Sequence, residues 1–128
     1  RELTSGYFAG DEALRNPSGE RFHKQQAPLA LLVRIILSSS SPGDLVLDPF
    51  AGTGTALVAA KQLGRCSVGM EVDPANAAMV ERRLDETRDA DSVERLRNYY
   101  RFTEDLDNIW PSPSAPWREK TAQMTLMD

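Results

Sequence analysis

Leu45-Val46-Leu47-Asp48-Pro49-Phe50-Ala51-Gly52-Thr53-Gly54-Thr55 decides the reading of this chain. Three apolar residues run into an acidic one, a glycine-rich turn follows, and an alanine-rich stretch with helical periodicity comes next. That order is a first strand, a tight nucleotide-facing loop and a first helix of an open α/β sheet. Gly52 and Gly54 lack side chains, so the backbone can turn sharply and a ligand can lie close against it. The loop feeds a helix N-terminus, where unpaired N–H groups face the ligand.

Working outward, Ser67-Val68-Gly69-Met70-Glu71-Val72-Asp73 reads as the second strand, with Glu71 23 positions after Asp48. In dinucleotide-binding units an acidic residue about 20 positions on accepts hydrogen bonds from ribose hydroxyls. Ribose offers two neighbouring donors, and a carboxylate offers two acceptors in one plane. The pair therefore implies a ligand with a ribose. The plainer alternative is that Asp48 and Glu71 cap the helices that follow. A nicotinamide enzyme is disfavoured, because Leu57 stands where the third glycine of G-x-G-x-x-G would fall.

Asp48 through Thr55, Glu71 and the segment His23-Lys24-Gln25-Gln26-Ala27-Pro28-Leu29 resemble the DNA amino-methyltransferases. That family transfers a methyl group from S-adenosylmethionine to the exocyclic nitrogen of adenine (N6) or cytosine (N4). It includes the methylation partners of restriction–modification systems. Its cofactor loop reads D-P-F-x-G-[ST]-G-T, matched here throughout by Asp48, Pro49, Phe50, Ala51, Gly52, Thr53, Gly54 and Thr55. Its upstream pattern H-P-x-Q-K-P is kept at His23, Gln26 and Pro28, but Lys24 replaces the proline and Ala27 replaces the lysine. The family's lysine helps hold the methionine end of the cofactor, and Lys24 is a candidate to replace it. The resemblance covers roughly residues 20–85. It implies a three-layer Rossmann-like methyltransferase fold, of which this chain holds the cofactor-binding part of the sheet. It further implies Asp48, Phe50, Gly52 and Gly54 on the methionine side, Glu71 on the ribose, and Val72 and Asp73 along the adenine.

The family's catalytic tetrapeptide, [DNS]-P-P-[YFW], does not occur in the sequence. A target base must leave the duplex stack and enter a pocket before its amino group can react, and that tetrapeptide builds the pocket. The nearest string, Ser114-Ala115-Pro116-Trp117, lacks the first proline, has no apolar strand before it, and sits beside Trp110-Pro111-Ser112-Pro113 in a stretch that reads as extended tail. One class of these enzymes places the catalytic half first, then target recognition, then the helix segment and cofactor loop. In that order this chain is the C-terminal half, and an opening Arg1 rather than Met suits a separated piece. No catalytic residue is assigned here. A second segment or chain is expected to bring the tetrapeptide and the target-recognition region, and DNA is expected to bind through the assembled enzyme.

Length and charge agree with that expectation. The 128 residues suffice for one small domain with one core. Residues 1–43 carry five basic and four acidic side chains, and residues 44–128 carry ten and fifteen, giving +1 and −5 within a net charge of −4. A chain that grips a DNA backbone alone should be basic. The single Cys66 cannot form an internal disulfide and suits a reducing cytoplasm. At the start of a buried strand it reads as a small core residue. No metal site and no membrane association are expected.

A coarse pass divides the chain into an N-terminal loop segment (1–26), a cofactor-binding α/β domain (27–107) and an irregular tail (108–128). In the first segment Tyr7, Phe8 and Phe22 are read as packing the loop onto the domain. Helix is expected from Pro28 to about Ser39, with Leu31, Leu32, Ile35 and Ile36 on one face at helical spacing. Strands are expected at about 45–48 and 66–71, and a helix from about Thr53 to Leu63 with Gly64 as its stop. Asp73 as N-cap and Pro74 at the first position open another helix to about Thr87, with Ala78, Val80 and Leu84 inward. Asp91 and Glu94 suggest a capping box for a last helix to about Asp105, and Arg82, Arg83, Arg95 and Arg97 read as a solvated face. Two other readings share the loop chemistry: a cofactor-binding part of an RNA or small-molecule methyltransferase, and a non-catalytic partner subunit. The D-P-F-x-G-x-G string together with His23 and Gln26 argues against the former.

Overall fold

In the computed structural model, which describes residues 11–23 and 25–112, β1 (Leu45–Asp48) and β2 (Cys66–Gly69) pair in parallel. Leu45 lies opposite Cys66 and Asp48 opposite Gly69. The helix between them, α2 (Thr55–Gln62), packs on both strands. Parallel strands cannot be joined by a short hairpin and need such a crossover, so the unit is βαβ, the seed of a Rossmann-like sheet. The readings on Tyr7, Phe8, Lys24 and Ser114-Ala115-Pro116-Trp117 lie outside the described residues.

The helix α1 (Leu29–Ser39) precedes β1, with Pro28 at its N-cap. It buries Leu29, Val33, Ile36 and Leu37, whereas Leu31 and Ile35 are exposed. This corrects the expected face. The segment Leu29-Ala30-Leu31-Leu32-Val33-Arg34-Ile35-Ile36-Leu37 is apolar nearly all round, so two stripes satisfy the same helical period. Packing against α2 selects one of them. The buried stripe joins Ala59, Ala60, Leu63, Val93 and Trp110 in the main core.

Two boundaries move for local reasons. α2 begins at Thr55 because Gly54, its N-cap, takes a left-handed φ of 79°. β2 ends at Gly69, although Met70 still donates to the Asp48 carbonyl at 3.0 Å and accepts from Ala51 N–H at 2.9 Å. The chain leaves the ladder at Glu71. Helix α3 (Pro74–Asp85) starts as expected, with the Asp73 carboxylate accepting from Ala75 N–H at 2.8 Å, and buries Asn76, Met79, Val80 and Arg83. Ala78 is exposed.

Leu57, in place of the third fingerprint glycine, is accommodated from the strand side. A Cβ on Gly69 would sit 2.5 Å from Leu57 Cδ1 and 3.2 Å from Ala51 Cβ. Close helix–strand approach, the usual task of that third glycine, is met here by a glycine on β2.

After α3 the chain forms 3₁₀ turns at Asp89–Asp91 and Glu94–Tyr100, then the short α4 (Leu106–Ile109). The capping box is not formed, because both carboxylate oxygens of Asp91 are held by Arg83 and Arg88. The solvated arginine face is likewise corrected. Only Arg82 of the four is exposed and unpaired among the described residues. Arg83 is buried, Arg95 meets Asp11 and Glu12, and Arg97 donates to the Trp110 carbonyl and to Asp107. Trp110, read as tail, is fully buried with Tyr100 edge-on at 5.4 Å, so the packed unit runs beyond residue 107. Arg65 is also fully buried and donates to the carbonyls of Ser40, Leu63 and Ile109 at 2.5–2.7 Å. It thereby ties together chain segments that leave α1, α2 and α4. Cys66 is half-buried in β2.

One face of the two-stranded sheet remains bare. Val46 packs into the core while Leu45 and Leu47 are 64% and 59% exposed. No helix among the described residues is long and apolar enough to cross a membrane.

Candidate functional site

The chain leaves β1 at Asp48 and turns through Gly52 (φ 54°) and Gly54 (φ 79°) before α2 begins. Both glycines occupy the left-handed region that side chains disfavour. Gly54 is further constrained by space, since a Cβ there would approach Val80 Cγ2 to 2.8 Å. The turn is closed by Gly54 N–H donating to the Ala51 carbonyl at 2.7 Å. Among the described residues the N–H groups of Gly52 and Thr53 have no acceptor. They remain available at the head of α2, where backbone donors favour anionic groups.

A cleft of about 180 Å³ lies at this C-terminal end of β1. The loop forms one wall, with Asp48, Phe50, Ala51, Gly52, Thr53 and Thr55. The segment before α1 forms the other, with His23, Gln25, Gln26 and Ala27. The two stretches that carry the sequence motifs, some 25 residues apart, thus face each other. His23 Cε1 approaches the space above Gly52, lying 4.0 Å from the position of a Cβ there. The His23 Nδ1 accepts from Gln25 N–H at 3.2 Å, which leaves Nε2 as the protonated nitrogen of the neutral ring.

Not every candidate points into the cleft. The Gln26 amide is spent on the protein: its oxygen accepts from Leu14 N–H at 2.9 Å and its nitrogen donates to the Glu12 carbonyl at 2.8 Å. It shapes the wall rather than offering a free donor. Pro49, Gly54, Glu71, Val72 and Asp73 stand outside the cleft lining, and Lys24 lies outside the described residues. Glu71 follows the end of β2, and one of its oxygens accepts from Asp73 N–H at 2.8 Å, leaving Oε2 without a partner among the described residues. Asp48 is similar, with Oδ1 accepting from Phe50 N–H at 3.1 Å. The Asp73 carboxylate caps α3. Two large apolar side chains flank this region in water, Phe50 at 88% and Val72 at 96% exposure. No cluster of His, Cys, Asp and Glu suited to a metal ion occurs among the described residues.

Sequence reasoning missed a second tier beneath the loop. Arg83 donates to the Thr53 carbonyl at 2.6 Å and to Thr55 Oγ1 at 3.2 Å, and its Nη2 pairs with Asp91 at 2.8 Å. A signal existed: position 83 lies three and four residues after Val80 and Met79, on the buried face of α3. Burial opposes ionisation of Asp91, yet hydrogen bonds from Arg88 and Arg83, with their charges, outweigh it and hold the carboxyl below the usual carboxylate range.

The chain is similar in sequence to known proteins. Residues 8–82 match the family model of N6/N4 DNA methylases. The type II methyltransferase M.HinfI of Haemophilus influenzae is 44% identical over 79 residues, covering 62% of this chain and 22% of that protein. The DNA adenine methyltransferase YhdJ of Escherichia coli is 52% identical over 63 residues, covering 49% of this chain and 21% of that protein. A Thermus thermophilus protein described as a DNA modification methylase, solved with S-adenosyl-L-methionine, is 46% identical; the alignment covers 45% of this chain and 24% of that one, with a TM-score of 0.44. The chain spans about a fifth of the length of the two curated relatives.

Proposed function

Since this chain belongs to the N6/N4 DNA methylase family, we propose that it is the S-adenosylmethionine-binding part of an enzyme that methylates the exocyclic amino group of adenine (N6) or cytosine (N4) in DNA. One observation carries the proposal. The matched residues 8–82 contain both walls of a single cleft at the C-terminal end of β1. In open α/β sheets, that is where ligands bind. The adenine methyltransferase among the relatives favours adenine as the target.

The residues present fit the cofactor. When bound, S-adenosylmethionine supplies a methyl group on a sulfonium cation. Asp48 places a carboxylate beside that cationic end, and the Gly52 and Thr53 N–H groups serve its carboxylate. Gly52 and Gly54 let the backbone approach closely. Glu71 Oε2 accepts from the ribose. Val72 and Phe50, both exposed in the isolated domain, gain contact by packing along the adenine and the methionine side. Asp73, whose N–H holds Glu71 Oε1 at 2.8 Å, orients that carboxylate beside the adenine end, while Pro49 and Thr55 fix the loop. His23 acts from the opposite wall, and Lys24, its neighbour in sequence, is the candidate to replace the family's lysine.

The cleft is small for this task. Sites that enclose a ligand of this size run to about 300–1,000 Å³, against about 180 Å³ here. Parallel sheets are normally covered on both faces, whereas Leu45 and Leu47 are bare. Both facts support a second segment or chain that covers this face of the sheet, completes the cleft, and brings the catalytic tetrapeptide and the DNA-reading surface. The acidic balance of −4 leaves most phosphate contacts to that part. The single Cys66 suits a reducing cytoplasm.

Titration calorimetry on the assembled protein tests the site. Glu71→Ala removes the ribose acceptor, at a cost of roughly 1–3 kcal/mol, or about 5- to 150-fold in dissociation constant. An unchanged constant would sink the assignment of Glu71.

A further inference from the structure

We infer that Arg83, clamped by Asp91, is a positioning residue that fixes the glycine loop in its cofactor-ready conformation. The inference rests on the reading of that loop given above and assigns a task to residues outside both motifs. Arg83 is 2% exposed and Asp91 1% exposed. Three guanidinium nitrogens are engaged: Nε and Nη2 grip the two Asp91 oxygens at 3.2 and 2.8 Å, and Nη1 reaches the Thr53 carbonyl at 2.6 Å and Thr55 Oγ1 at 3.2 Å.

The Thr53 carbonyl is the critical acceptor. Thr53 sits between two left-handed glycines, the most freely rotating residues available. A Gly-x-Gly turn has many alternative conformations. A charged donor on the carbonyl between the glycines selects one, and with it the direction of the neighbouring N–H groups. Asp91 holds that donor in place, because a planar guanidinium gripped at two points has little freedom left.

The same carboxylate sets the opposite wall. Arg88 donates to both Asp91 oxygens at 2.7 and 2.9 Å and to the Glu12 carbonyl at 3.0 Å. That carbonyl also accepts from Gln26 at 2.8 Å, and Gln26 lines the cleft. Asp91 is therefore the shared anchor of both walls, some 20 residues beyond the last motif.

The test compares Arg83→Lys with wild type in the full chain. Lysine keeps the charge but cannot hold Asp91 at two points and Thr53 at once. S-adenosylmethionine is titrated by calorimetry, and amide hydrogen exchange is followed at residues 51–55 and in β1 and α2. Arg83→Lys should bind the cofactor about 10- to 100-fold more weakly. Exchange should accelerate at Gly54, whose N–H closes the turn on the Ala51 carbonyl at 2.7 Å, with β1 and α2 protected as in wild type. Val93→Ala, a core truncation away from the loop, lowers stability and should leave affinity unchanged. Should Arg83→Lys fail to fold, Thr55→Val removes one acceptor alone and should still weaken binding by about threefold. Wild-type affinity and wild-type loop exchange in the folded variants would overturn the inference, as would an equal loss of affinity in Val93→Ala. If wild type itself does not bind the cofactor, the reading of the site fails. The exchange data then decide alone: faster exchange in Arg83→Lys supports the positioning role, and unchanged exchange overturns it.

Discussion

Gly54 answers two demands at once. Its φ of 79° is left-handed, and a Cβ there would meet Val80 Cγ2 at 2.8 Å. Gly54→Ala should therefore destabilise the domain by about 1–3 kcal/mol, measured by urea unfolding. Adding Val80→Ala removes the two closest contacts, Cγ2 and Cγ1, but not the 3.2 Å approach to Cβ or the backbone strain, so the double variant should recover part of the loss relative to the sum of the two singles. Strict additivity would show that the contact does not matter. Ala27 poses the complementary question, since it is exposed and lines the cleft where the family carries lysine. Ala27→Lys should tighten cofactor binding, because the new ammonium enters a partly enclosed cleft rather than open solvent, where an ion pair gives under about 1 kcal/mol. Calorimetry of Ala27→Lys and Lys24→Ala assigns the role. Tighter binding in the first with no loss in the second means that Lys24 never replaced the missing lysine.

At the scale of elements, the strand–loop–helix unit was legible because its instructions are local. Asp48-Pro49-Phe50-Ala51-Gly52-Thr53-Gly54 admits one turn, and Asp73-Pro74 admits one helix start. The segments after α3 were not legible, because tertiary contacts decide them. Asp91 and Glu94 have the spacing of a capping box, yet two arginines take the Asp91 carboxylate and the chain winds as 3₁₀ turns. The buried face of α1 is a similar case, since two apolar stripes compete and only the partner selects. Within the site, both cleft walls could be read from motif residues, while Arg83 beneath them left only its spacing from Met79 and Val80 as a signal, because an arginine reads as a surface residue until its partner is known. The Asp91 carboxylate between Arg83 and Arg88 also has a pH signature. Asp91 titrates below its ordinary value of 3.8 in the folded protein, so the unfolded chain takes up its proton first as pH falls. Its contribution to stability is present above about pH 4 and is lost as pH falls through the lower folded value. Asp91→Asn should thus flatten the acid limb of stability between about pH 5 and pH 3, measured by urea unfolding. A limb as steep as wild type would assign acid lability to other carboxylates.

On the scale of the whole molecule, the proposed function gives this chain the methyl-donor site and leaves the acceptor site to another segment. Methyl transfer to an amino nitrogen needs that nitrogen held in line with the sulfonium methyl, with acceptors for its protons placed beforehand. No [DNS]-P-P-[YFW] string supplies them in this sequence, and a net charge of −4 offers little attraction to a phosphate backbone. The relatives are about five times longer than the stretch they share with it. The purified 128-residue chain should therefore bind cofactor weakly and transfer no tritium from labelled S-adenosylmethionine to DNA. Addition of a segment bearing the tetrapeptide should restore transfer, and it should also quench the exposure of Leu45 and Leu47, which two-dimensional NMR of their methyl groups can follow. Transfer by the isolated chain, abolished by Pro116→Ala or Trp117→Ala, would overturn this division of labour. It would place the acceptor site in Ser114-Ala115-Pro116-Trp117, where a single proline and a tryptophan would have to do the work of the family's tetrapeptide.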